Sequence, residues 1–276
     1  MYREEINDEL QRYFDHYAKG IQNGWESDTP PVRLSLLGFE GSPAKTILER
    51  PETEYPPARQ VLRDFYLDAA TRTLTPERLV EAVSASYDSH HLTDSLDFTL
   101  IFSQYTELAG YPLATIWFSC PDHEDLDVAV QIRKIDAQGK LLSQLNYPIP
   151  VPEAEGPDVN VLKTLGPQGF LRASHAVSLD RAASPSKTDL FYTHRSREPI
   201  LPLGRKVKLE IPIWPIGMVF APGEGIMLRV SGHDMAFPET DMCRLTEPED
   251  ENVGRHFVHT GGEEKSFLTL PILVGG

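Results

Sequence analysis

Proline and glycine punctuate this chain from end to end, and that spacing constrains its fold more than any other feature. With 23 prolines and 19 glycines in 276 residues, there is room for many short strands joined by turns and little for long regular elements. Between the breaks, apolar and polar residues alternate. Leu126, Val128, Val130 and Ile132 share one side of a run whose other side carries Asp127, Ala129, Gln131 and Arg133, the period of a half-buried strand. Asp136-Ala-Gln-Gly139 reads as a turn with Gly139 at positive φ, so residues 126–145 are predicted as a hairpin. Similar patterns predict strands at 32–36, 61–67, 96–102, 112–120, 203–213, 226–231 and 267–274. Pro271 has no N–H to give, which places the last of these at a sheet edge or a bulge. Residues 38–57 read as turn-rich, 84–93 show no clear period, and 146–160 form a proline-rich excursion.

One segment departs from this pattern. Ile6, Leu10, Tyr13, Phe14 and Tyr17 recur at helical spacing, which predicts a helix over 3–20 that stops at Gly20 and Asn23-Gly24. No strand precedes it, so it reads as the last helix of another unit. Strand–helix alternation and fixed-period repeats are both missing, which argues against a parallel α/β sheet or a solenoid. The remaining pattern predicts a mostly-β fold, a β-sandwich of jelly-roll type.

A hydrophobic fraction of 40% supports a core and excludes a disordered chain. The formal net charge of -15 makes nucleic acid and anionic membranes poor partners. Two cysteines, Cys120 and Cys243, make neither a disulfide framework nor a zinc site and suit a reducing, cytoplasmic setting. The first ten residues are charged and lack the apolar stretch of a signal peptide. No apolar run approaches the ~20 residues that span a bilayer.

The candidate chemistry is sparse. No G-x-S-x-G nucleophile elbow occurs; in Gly38-Phe-Glu-Gly-Ser42 the serine stands at the wrong place. Ser42-Pro-Ala-Lys45 and Ser184-Pro-Ser-Lys187 match S-x-x-K, but a proline after each serine suits a loop better than a helix. Asp122-His-Glu-Asp125 with Asp127 could ligate a divalent cation, yet it lacks EF-hand or H-E-x-x-H spacing and reads as a polar turn. His256 and His259 read as part of a strand before the tight turn at Gly261-Gly262. His90-His91 and Gly232-His-Asp234 place no nucleophile beside a histidine. Trp214, Ile216, Met218 and Phe220 could wall a ligand site but read as core beside a proline-kinked strand. No glycine-rich phosphate loop supports a nucleotide cofactor. Catalytic, cofactor and metal residues are therefore assigned to none, and no cofactor is expected.

Several segments, in order, resemble one family. Leu10-Gln-Arg-Tyr-Phe-Asp-His-Tyr-Ala-Lys-Gly20 is similar to the helix that follows the catalytic domain in cocaine esterase and X-Pro dipeptidyl-peptidase-like (CocE/NonD) serine hydrolases. Asn23-Gly-Trp25, Pro30-Pro-Val-Arg-Leu-Ser35, Tyr55-Pro-Pro-Ala-Arg59 and Phe65-Tyr-Leu-Asp68 follow. So do Ser86-Tyr-Asp88, Glu107-Leu-Ala-Gly110 with Pro112-Leu113, and Asp125-Leu-Asp-Val128. Leu162-Lys-Thr-Leu-Gly166, Leu171-Arg-Ala-Ser-His175, Pro212-Ile-Trp-Pro-Ile-Gly217, Ser231-Gly232 and Val258-His-Thr-Gly-Gly262 with Leu270-Pro271 complete the series. In that family an α/β-hydrolase domain carries a Ser-Asp-His triad and a helical cap, and a galactose-binding-like jelly roll packs against it.

The resemblance begins beyond the triad histidine, and no residue here matches the triad motifs. It implies a helical remnant or linker over 1–29 and a C-terminal jelly roll over 30–276. The domain would pack on an α/β-hydrolase partner, in the same gene product or a separate chain, and shape its pocket for dipeptidyl-peptidase or acyl-ester and amide hydrolysis. A homo-oligomer is also compatible. The competing reading is a stand-alone carbohydrate or small-ligand binding jelly roll using Trp25, Trp117 and Trp214 as stacking surfaces.

Overall fold

A computed structural model describes residues 4–91, 93–146, 152–156, 158, 162–198, 203–234 and 252–275. The chain opens with helix α1 (Glu4–Lys19) and a single turn, α2 (Trp25–Asp28). Strands β1 (Val32–Leu36) and β2 (Ile47–Glu52) then pair antiparallel as a small sheet of their own. The body follows as β3 (Gln60–Asp68), β4 (Thr73–Thr75), β5 (Val83–Asp88), β6 (Leu96–Ile101), β7 (Thr106–Gly110), β8 (Leu113–Ser119), β9 (Asp127–Ile135) and β10 (Leu141–Leu142). The short pairs β11 (Gln144–Leu145) with β12 (Lys163–Thr164), and β14 (Leu179–Asp180) with β15 (Phe191–Tyr192), flank β13 (Gln168–Arg172). The chain closes with β16 (Val207–Pro212), β17 (Ile216–Phe220), β18 (Gly225–Ser231), β19 (Arg255–Thr260) and β20 (Phe267–Leu273).

Hydrogen bonds run through the body in the order β10-β9-β18-β6-β4-β3-β20-β8-β19-β5, with β13 also on β9, β16 on β8, β7 on β20 and β17 on β7. Among the described strands of the body, every pair is antiparallel except the β4–β6 contact, where β4 carries the sheet from one layer to the other. The layers close over one apolar core. Phe98, Val130, Ile132, Leu228 and Val230 come from one side, and Leu67, Ile116, Phe118, Leu209, Val258, Leu268 and Leu270 from the other. At one end, β13 passes so close to the end of β16 that a Cβ on Gly169 would lie 2.2 Å from the Pro212 carbonyl oxygen; only glycine fits there. This is the mostly-β, jelly-roll sandwich with a leading helix that the sequence predicts.

Several local expectations change. β9 is buried on both faces, with Ala129, Gln131 and Arg133 covered nearly as well as Val130 and Ile132. Gly139 has φ 80 as expected, but only Leu141 and Leu142 return along β9, while Gln144 and Leu145 pair with β12. The strand expected from 203 begins at Val207. β2 occupies part of the stretch read as turns, and β5 part of the stretch read as patternless; each ends a sheet and carries mostly polar or small residues. Pro271 is not at a sheet edge. β20 lies between β3 on one side and both β8 and β7 on the other, and Pro271 falls where that second side changes partner, between Thr269–Leu113 and Ile272–Leu108. A missing N–H costs no ladder bond at such a gap. Of the proline-rich stretch, residues 153–155 form a 3-10 turn; most of the rest, like Cys243, lies outside the described residues.

Candidate functional site

The helix predicted over 3–20 forms, and it buries nothing. Ile6, Leu10, Tyr13, Phe14 and Tyr17 are all exposed, Phe14 and Tyr17 each at 56%. Glu4 and Glu5 in the first turn and Lys19 in the last complement the helix dipole, so the helix has its own reasons to form. Its polar side is tied down. Arg12 donates to Asp28 at 2.7 Å, Asn23 Nδ2 donates to the Arg12 carbonyl at 2.7 Å, and Arg12 lies 5.8 Å from the centre of the Trp25 ring. Trp25 in turn meets Tyr13 edge-on at 5.4 Å. Glu9 pairs with Arg33 at the start of β1. Five large apolar side chains on one exposed helix face are a contiguous patch of the kind that marks an interaction surface, unlike single scattered exposures.

The sequence-level candidates for chemistry are dispersed. Ser42 does not meet Lys45; its Oγ accepts from Lys134 Nζ at 2.9 Å. Lys134 is fully buried. It also donates to the carbonyls of Gly38 at 2.7 Å and Val219 at 2.6 Å, lies 3.0 Å from Glu224, and stands 4.9 Å from the Phe220 ring centre. Burial pulls its pKa down, against the opposing hydrogen bond and charge of Glu224. A lysine donating to this many acceptors fastens the loop at 38–42 to the sandwich, and it donates to Ser42 rather than taking its proton. Ser184 Oγ donates to the Asp180 carbonyl at 2.7 Å, with Lys187 exposed. The acidic cluster serves separate partners: Asp122 accepts from the Arg255 backbone, Asp125 from the backbones of Leu126 and Ser174, and Asp127 holds Arg172 through two bonds of 2.6 Å. Among the described residues, no group of three or more His, Cys, Asp or Glu could hold a metal ion.

His256 and His259 stand on β19, three residues apart and therefore on opposite faces. His256 is buried against Tyr87, whose hydroxyl lies 3.1 Å from Nδ1, and burial lowers its pKa from 6.5 to about 4. His259 Nε2 lies 2.8 Å from Ser119 Oγ, and burial lowers its pKa as well. The rings of His90 and His233 are 6.4 Å apart. Ile216, Met218 and Phe220 belong to the core, as predicted, while Trp214 is 61% exposed. It borders a hollow of about 270 Å³ with Leu37, Leu165 and Pro167. Trp25, Trp117 and Trp214 sit on separate elements: α2, mid-β8 between Lys208 and His259, and the turn after β16. Sequence reasoning missed the Lys134–Glu224 pair. Its signal was the register of β9, in which position 134 continues the inward set 128, 130, 132.

Comparison with known proteins gives a consistent result. Residues 23–269 match the family model described as the X-Pro dipeptidyl-peptidase C-terminal non-catalytic domain. A CocE/NonD family hydrolase from Staphylococcus aureus is similar in structure, with 27% identity and a TM-score of 0.84 over 98% of this chain and 46% of that chain. An aminopeptidase from the marine sediment archaeon Thaumarchaeota archaeon (17% identity, TM-score 0.62, 97% of this chain and 44% of that one) shares the fold. So does an α-amino acid ester hydrolase (15%, 0.56, 95% and 44%). Comparison with curated proteins gives no significant match. The chain thus spans less than half the length of each of these three structures. Its segment order, sandwich and family match together show that it belongs to the family of X-Pro dipeptidyl-peptidase C-terminal non-catalytic domains.

Proposed function

We propose that this domain works as the accessory half of a serine hydrolase. Residues 30–276 form the jelly roll, and residues 1–29 form the helical link to an α/β-hydrolase domain that carries the Ser-Asp-His triad. The jelly roll packs on that domain and helps shape its pocket for dipeptidyl-peptidase or acyl-ester and amide hydrolysis, while contributing no nucleophile, cofactor or metal. The observation that carries this reading is the exposed apolar face of α1, which is held from behind by Arg12, Asn23 and Arg33 and open in front. The net charge of -15 disfavours nucleic acid as a partner, and the buried free thiol of Cys120 suits a reducing cytoplasm. No described helix is long and apolar enough to cross a membrane.

The test is binding to an α/β-hydrolase domain supplied as a separate chain, read by size-exclusion chromatography and ester turnover. Co-elution that is weakened by Phe14→Ser with Tyr17→Ser, and a change in KM on complex formation, are expected. Separate elution with unchanged kinetics would refute the docking role.

A further inference from the structure

The outer face of the β13–β9–β18–β6 layer, opposite Val130 and Ile132, carries three arginines in adjacent strands. Arg172 of β13 stands opposite Asp127 of β9, and Arg229 of β18 stands between Gln131 of β9 and Asp97 of β6. Arg133 follows Gln131 on the same side of β9. Two of the three grip a carboxylate in the same way, side-on through Nε and Nη2. Arg172 holds Asp127 at 2.6 Å from each atom, and Arg229 holds Asp97 at 2.8 Å from each. Arg133 is only 5% exposed, yet among the described residues its Nε and Nη2 have no hydrogen-bond partner. Its neighbour Gln131, 4% exposed, likewise finds no hydrogen-bond partner for Nε2 or Oε1 among the described residues.

Buried donors without acceptors are rare and call for a reason. Among the described residues, the acid in contact with Arg133 is Asp158, whose Oδ2 stands 3.7 Å from Nη2, an ion-pair contact too long for a hydrogen bond. The other oxygen of Asp158 is taken by Lys163 at 2.8 Å. An open hollow of about 440 Å³ lies farther along the same face, lined by Ala129, Phe170 and Arg172 and stopping short of Gln131 and Arg133. Ala129 is one pleat repeat, roughly 7 Å, along β9 from Gln131.

We propose that Arg133, assisted by Gln131, is a binding site for a small-molecule carboxylate. The ligand's two oxygens take the Nε and Nη2 fork as Asp127 and Asp97 do on the neighbouring arginines, and Gln131 Nε2 donates to one of them. The planar fork matches two carboxylate oxygens at once, which a lysine ammonium cannot do. The site is independent of docking to a hydrolase domain and needs only this chain.

The experiment is a titration of the purified full chain, labelled with ¹⁵N at arginine, with acetate, succinate and benzoate, each at constant ionic strength against chloride. The expected result is a saturable shift of the Arg133 Nε–H signal while those of Arg172 and Arg229 stay still. Arg133→Lys should weaken binding about tenfold, the equivalent of one charge-assisted hydrogen bond. Asp158→Asn should strengthen binding by removing a competing acid. The wild-type titration decides the matter even if a variant fails to fold. An Arg133 signal unmoved by all three carboxylates would overturn the proposal, whether water or an acidic side chain of the chain already fills the fork.

Discussion

The β9 strand and the α1 helix carry equally clear periodicity and end in opposite states. Eight of the nine residues of β9 are buried, including Gln131, Arg133 and Lys134. None of the sixteen residues of α1 is buried, although five large apolar side chains line one face. The period of a segment states which face wants to leave water; it does not state what will cover it. For β9 the cover comes from the same chain, through β13, β18 and the opposite layer. For α1 the polar side is engaged by α2 and Arg33, and on the apolar side Tyr13 meets Trp25 edge-on while Ile6, Leu10, Phe14 and Tyr17 stay exposed.

The sharpest way to break this contrast is to attack the sandwich at its buried charge. Lys134→Met leaves Glu224 buried without its cation and strips donors from Gly38 and Val219. It should cost about 3–5 kcal/mol in urea unfolding, and pairing it with Glu224→Gln should recover part of that loss. A single-variant cost below about 1 kcal/mol would mean that the 38–42 loop is held by apolar contacts alone. Acid is the next lever. His256 is held neutral, its pKa lowered from 6.5 to about 4 chiefly by burial. The unfolded chain therefore takes up protons first as the pH falls. This contribution is complete above about pH 6.5 and is lost as the pH drops toward 4, worth roughly 3 kcal/mol. Melts between pH 7 and 4 should show the decline, and His256→Phe should flatten much of it.

The helix should behave in the reverse sense. Phe14→Ser with Tyr17→Ser should leave the stability of the isolated chain within about 0.5 kcal/mol, as for other exposed positions, yet weaken docking to a hydrolase domain by about 2 kcal/mol or more. A large loss of stability in the isolated chain would show that α1 packs on its own body. The smallest effect is expected at exposed ion pairs such as Lys206–Glu264, 2.7 Å apart. There Lys206→Gln should change stability by less than about 1 kcal/mol.

Much of this was legible in the sequence, because the signals were local. The alternation at 126–132, the turn at Gly139 and the helical stripe from Ile6 to Tyr17 each depend on neighbours a few residues away. What failed to show depends on distant partners. Val83–Asp88 carries Ser, Ala and Ser and becomes a strand because β19 offers it an edge. Pro271 sits in a central strand because β7 and β8 part company opposite it. The burial of Arg133 and Lys134 follows from what the layers place over and beneath β9, which alternation alone could not supply. Among the site candidates, the S-x-x-K match at Ser42 misled in its partner: the lysine that reaches Ser42 comes from β9, 92 residues away.

The most direct test of the central claim is to treat the purified chain with a fluorophosphonate probe while assaying p-nitrophenyl acyl esters and Xaa-Pro anilides. A domain that leaves catalysis to a partner should show no covalent labelling and no turnover above buffer. Stoichiometric labelling of one serine with matching turnover would contradict the account and make that serine the nucleophile of an active site within this chain.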